Sequence, residues 1–61
     1  FKKQFLVIEA YGEGKDHFIT RPITIEDLLI ELYGDNSDEI KEEFFGDYDV
    51  YEIDGKLIKL N

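Results

Sequence analysis

The chain is 61 residues long, enough for one domain, and its 15 acidic against 7 basic residues give a net charge of −8. That charge argues against direct binding to nucleic acid or an anionic membrane, and no apolar run nears the ~18 residues that span a bilayer. With no cysteine and His17 as the single histidine, neither disulfides nor a structural zinc site can brace a core of this size.

What remains is efficient packing or oligomerisation, and five Phe and four Tyr serve both. A homodimer is therefore expected. No secretory pattern opens the sequence, and the lack of cysteine fits a reducing compartment, so a cytoplasmic location is expected. Neither repeats nor a linker interrupts residues 1–61, which read as one acidic binding domain.

In chain order, Gln4 to Tyr11 reads as a strand rich in β-branched and aromatic residues. Its two faces are both apolar: Leu6, Ile8 and Ala10 on one, Phe5, Val7 and Tyr11 on the other. A strand of that kind is normally covered on both sides, and in so small a protein the second cover could be a partner chain. Gly12-Glu13-Gly14-Lys15 is a turn, and Asp16 to Arg21 returns as a second strand that Pro22 ends.

Thr24 caps a helix running to Tyr33, with Asp27 three residues on and Gly34 as a left-handed stop. Ile25, Leu28, Leu29 and Leu32 recur at core spacing, while Glu26 and Ile30 project elsewhere and Tyr33 lies on the border. Ser37 caps a second, short helix ending at Gly46, with Ile40 and Phe44 inward. Tyr48 to Ile53 alternates as a strand, Asp54-Gly55 signals a tight hairpin, and Lys56 to Leu60 closes it. A two-residue loop would set Ile53 against Lys56 and Tyr51 against Ile58, placing Tyr51, Ile53, Ile58 and Leu60 on one face and Glu52 diagonal to Lys59. The order ββααββ predicts an α+β fold, an antiparallel sheet with one or two short helices packed on one face.

Nothing in this pattern assembles a catalytic group. His17 falls in a predicted strand, and two of the three Ser and Thr residues, Thr24 and Ser37, are accounted for as caps. Gly12-Glu13-Gly14-Lys15 lacks the spacing of a phosphate-binding loop, and Asp35-Asn36-Ser37-Asp38-Glu39 lacks the central Gly and terminal Glu of a calcium loop. The opening resembles a β-grasp sulfur carrier, but the chain closes on Lys59-Leu60-Asn61 without the double glycine that chemistry needs. Neither catalysis nor a cofactor is expected.

The acidity is regional. From Glu26 to Asp54 stand twelve of the fifteen acids against one base, Lys41, a net of −11. Such a surface can simply keep a protein soluble. It can also imitate the phosphate backbone, because a protein with a basic DNA groove is steered towards any ordered array of negative charge. Self-repulsion at this density destabilises a small domain, which favours a role beyond solubility.

Ile23 to Lys41, ITIEDLLIELYGDNSDEIK, resembles the central region of the small phage uracil-DNA glycosylase inhibitors of φ29 type. The likeness lies in the capped start Thr24-Ile25-Glu26-Asp27, the helix end Leu32-Tyr33-Gly34 and the acidic Asp38-Glu39-Ile40 beyond a polar turn. It covers about a third of the chain and does not extend to the hairpin from Tyr48 onward. The resemblance implies a homodimeric DNA mimic that occupies the glycosylase's DNA-binding cleft and protects uracil-containing phage DNA. In that family a phenylalanine of this helix enters the cleft. Its place here is Leu28 if the cap is aligned and Leu29 if Leu-Tyr-Gly is aligned, neither of them aromatic. Asp27 and Tyr33 match in type. On the helical wheel both leucines fall on the core stripe, leaving Ile30 as the apolar side chain that projects.

The partner-binding surface is accordingly expected from Glu26, Asp27, Leu28, Leu29, Ile30, Glu31, Tyr33, Asp38, Glu39, Glu42 and Glu43. The partner is a basic DNA-binding protein, first a uracil-DNA glycosylase. The alternatives are another nucleic-acid enzyme, such as a restriction or CRISPR nuclease, or an acidic adaptor module with no mimicry.

Overall fold

A computed structural model of the chain describes residues 2–61. The fold is α+β, with strands β1 (Gln4–Glu9), β2 (His17–Ile19), β3 (Tyr48–Ile53) and β4 (Leu57–Lys59) and helices α1 (Ile25–Tyr33) and α2 (Asp38–Asp47). The strands form one antiparallel sheet in the order β2-β1-β3-β4. Val7 of β1 lies opposite both Phe18 and Val50. Phe5, Val7 and Val50 pack from the sheet against Leu28 and Leu29 of α1 and Phe44 of α2, with Ile23 completing the core. Both helices therefore cover the same sheet face. The Cα trace is a slab only 17 Å thick, the depth of one sheet and one helix layer.

Between Thr20 and Ile23 the pairing with β1 gains a residue. Ile19 faces Leu6, but Ile23 faces Lys3, so four residues advance on one side against three on the other. This is the effect of a β-bulge, and it reverses which face the next side chain meets. Ile23 is thereby turned into the core, 3% exposed. The Thr20 hydroxyl accepts the Phe5 N–H at 2.9 Å while the Thr20 N–H donates to the Phe5 carbonyl, holding the chain to β1 where Pro22 has no N–H to offer.

Each helix starts as its sequence predicts. Thr24 Oγ1 accepts from the Asp27 N–H at 3.1 Å and Ser37 Oγ from the Ile40 N–H at 3.4 Å. Gly34 ends α1 at φ 76°, where its N–H donates to the Ile30 carbonyl. Helix α2 runs one residue past Gly46 and passes directly into β3 at Tyr48, with no left-handed cap.

Two packing expectations are corrected. Leu32 falls at core spacing but is 47% exposed, and in that last turn it is Tyr33 that packs against the core, on Phe44. The β3–β4 loop has three residues, not two: Ile53 faces Leu57, Glu52 faces Ile58 and Tyr51 faces Lys59. Gly55, at φ 70°, provides the left-handed bend in its middle. The one-residue shift sends Ile58 to the face of Val50 and Leu57 to that of Tyr51 and Ile53. Glu52 accordingly pairs with Lys3 at 3.4 Å, and Lys59 with Asp49 at 3.6 Å.

Asn61 ties the sheet to the end of α2. Its amide nitrogen donates to the carbonyls of Phe45 and Tyr48, both at 2.7 Å, and its side-chain oxygen accepts the Val50 N–H at 3.1 Å. Asn61→Ala is expected to lower the unfolding free energy by about 1–3 kcal/mol, the scale of stranding such groups. A urea titration reads this.

Candidate protein-binding surface

The carboxylates follow from the two helices. Each buries one stripe against the sheet, Leu28 and Leu29 from α1 and Phe44 with partly buried Ile40 from α2, so acids at the remaining positions must face solvent. Glu26, Asp27 and Glu31 of α1 are exposed, as are Asp38, Glu39, Glu42, Glu43 and Asp47 of α2 and Asp35 in the turn between them. Asp38 and Glu39 occupy the first turn of α2 and Glu26 and Asp27 that of α1, where the helix dipole favours negative charge. The caps fix the backbone that carries them. Asp35 is held as well, accepting the Ser37 hydroxyl at 2.9 Å.

Few cations answer this charge. Arg21 donates to Glu31 from β2's side of the molecule, and that hydrogen bond holds the Glu31 carboxyl below its usual range. Lys41 reaches Glu26 at 3.9 Å, joining the outer faces of the two helices. Lys3, its ammonium stabilised first by Asp54 and then by Glu52, serves the far end of the sheet. All three cations are at least a third exposed, Arg21 most of all, and such pairs contribute little to folding. Among the described residues, Asp27, Asp35, Asp38, Glu39, Glu42, Glu43 and Asp47 have no cation within ion-pair distance.

The apolar residues expected at this surface separate. Leu28 and Leu29 are 4% and 0% exposed, beneath α1 in the core, so neither is presented to a partner. Ile30 is 46% exposed and stands beside Glu31 and one helical turn from Glu26 and Asp27. Tyr33 is half-buried, meeting Phe44 edge-on at 6.3 Å between ring centroids. Burial pushes its hydroxyl above the ordinary value, and Tyr48, Asp47 and Glu43 push it the same way, so Tyr33 stays neutral in this surface.

A shallow open depression on α2 is lined by Asp38, Lys41, Glu42, Phe45 and Gly46. Phe45 lies partly buried beside Phe44, 5.4 Å between centroids. Asp35, Asp47 and Phe45 belong to this surface and were not anticipated there. The helical period gives the signal for Phe45, which stands four and seven residues beyond Lys41 and Asp38. His17 is exposed in β2 on the opposite sheet face. No group of three His, Asp or Glu side chains among the described residues is placed to hold a metal ion. No helix among them is long and apolar enough to cross a membrane.

The chain matches no protein-family model, and neither the curated proteins nor the solved structures contain a significant match to it.

Proposed function

We propose that the chain is a DNA mimic, a phage-encoded inhibitor that acts in the host cytoplasm on uracil-DNA glycosylase. The observation that carries this reading is the set of exposed carboxylates, without a cation partner among the described residues, fixed on two capped helices and the turn between them. A DNA-binding cleft is lined by cations that meet phosphates, and pre-positioned carboxylates meet the same cations without ordering a flexible chain on binding. Ile30 supplies the apolar contact within the charged surface. Carboxylates at this density repel one another and destabilise a 61-residue chain, so a partner that neutralises them accounts for their presence.

An inhibitor of a restriction or CRISPR nuclease would use the same surface, so only the target separates these readings. The adaptor reading draws on the apolar sheet face opposite the helices and predicts binding that salt hardly alters. Mimicry predicts binding that weakens steeply as ionic strength rises. The direct test is inhibition of uracil excision at stoichiometric amounts of this protein.

A further inference from the structure

The depression on α2 holds one residue that the fold itself does not require. Gly46 lies within the helix and, unlike Gly34 and Gly55, has no left-handed backbone to demand a glycine. A Cβ at this position would meet no atom within 4 Å, so close packing does not demand one either. Glycine within a helix is less stable than alanine. What it does at position 46 is leave the lining bare next to Phe45, in the same depression as Asp38, Lys41 and Glu42.

Counted from Asp38, the other lining residues stand three, four, seven and eight positions on, which is one stripe along α2. Two carboxylates and an aromatic ring therefore line one depression of about 630 Å³. It is shallow and open, which suits the end of a side chain presented by another surface and not an enclosed small molecule. Phe45 is partly exposed there while it rests on Phe44. Asp38 and Glu42 have no cation partner among the described residues. Lys41, the base in the lining, lies 3.9 Å from Glu26 of α1, which answers its charge outside the depression.

We propose that the depression receives an arginine side chain of the partner protein, its guanidinium stacked on Phe45 and hydrogen-bonded to Asp38 and Glu42. The combination of ring and carboxylates selects arginine over lysine. A guanidinium is planar, stacks on an aromatic face while its N–H donors still meet carboxylates, and sheds water more readily than an ammonium. An apolar side chain in the same place would take both carboxylates from water without a partner. This contact rests on the DNA-mimic reading, since a groove built for phosphates supplies exposed arginines, and it names the side chain that the acidic surface takes.

Amide NMR of the whole chain, titrated with N-acetyl-arginine amide and separately with N-acetyl-lysine amide at the same low salt, tests the contact without a target protein. Arginine is expected to shift residues 38–46 and to do so at lower concentration than lysine. Against the glycosylase, Gly46→Leu, which fills the depression, should weaken binding roughly tenfold, the worth of one charge-assisted contact. Its melting temperature should hold or rise, because the helix gains a better former and the site has room. Gly46→Ala should fall between Gly46→Leu and wild type in affinity. Arginine shifts spread evenly over the acidic surface, or matched by lysine, would overturn the proposal. So would a glycosylase complex that Gly46→Leu leaves equally tight. A chain that ignores the glycosylase yet takes arginine in the depression would support the contact and refute only that target.

Discussion

Phe44→Ala is expected to abolish cooperative folding of the isolated chain at room temperature. Phe44 is 0% exposed and is the largest fully buried side chain. Its ring meets Tyr33, Phe45 and Tyr48 at centroid distances of 6.3, 5.4 and 5.4 Å. Removing such a ring from a packed site costs about 3–5 kcal/mol, through lost transfer energy and the cavity left behind. A domain of this length has a total stability of only about 3–9 kcal/mol. The substitution therefore consumes most of the stability, and a thermal melt by circular dichroism should lose its sigmoidal transition. Phe44→Leu, which keeps much of the volume, should retain a transition at lower temperature. A Phe44→Ala variant melting within a few degrees of wild type would show that this aromatic cluster is not what holds α2 to the sheet.

Replacing Glu39, Glu42 and Glu43 together by Gln is expected to separate binding from folding. All three are exposed on α2 and, among the described residues, have no cation within ion-pair distance. Neutralising them relieves repulsion within the acidic segment, so the melting temperature should hold or rise. If each carboxylate contributes about 0.5–1 kcal/mol at a partner's cationic groove, the triple variant binds roughly 10–100-fold more weakly. The loss should shrink at high salt, where screening has already removed that contribution. Unchanged affinity for the target would assign binding to some other surface, the adaptor reading among them.

The helices were the most legible part of the sequence. Thr24, Gly34 and Ser37 are local signals whose chemistry is complete within one turn, and the structure uses all three as caps. The buried Leu28, Leu29 and Phe44 follow equally from the 3.6-residue period. What local reasoning missed was set by pairing over longer distances. Asp54-Gly55 gives a bend, but whether the loop holds two or three residues depends on how β4 meets β3, and that single residue decides the face of Ile58 and Leu57. The bulge before Ile23 is similar, requiring Thr20 to bond to Phe5 across the sheet. Leu32 keeps the period of a core residue, yet the neighbouring Tyr33 is the one that packs inward.

The acidic surface was legible as a composition shift, and its residues mostly lie where a helical wheel places them. Leu28 and Leu29 show the limit of aligning a short motif: a position matched by sequence order need not point outwards. The wheel resolves it, since both lie on the stripe that the sheet covers, and Ile30 is the neighbour that emerges. The open face of the sheet was half visible in the doubly apolar β1. The order ββααββ already set the helices on one side, and the strand register showed which residues line the other.

In the proposed function the carboxylates of α1 and α2 stand in for the phosphates of DNA. Its most direct measurement is uracil excision from a labelled oligonucleotide by a uracil-DNA glycosylase, titrated with this protein. A linear fall in activity that ends near one binding equivalent is expected at low salt, with the Gln triple variant requiring far more protein. Full excision at several-fold molar excess of the wild-type chain would contradict it.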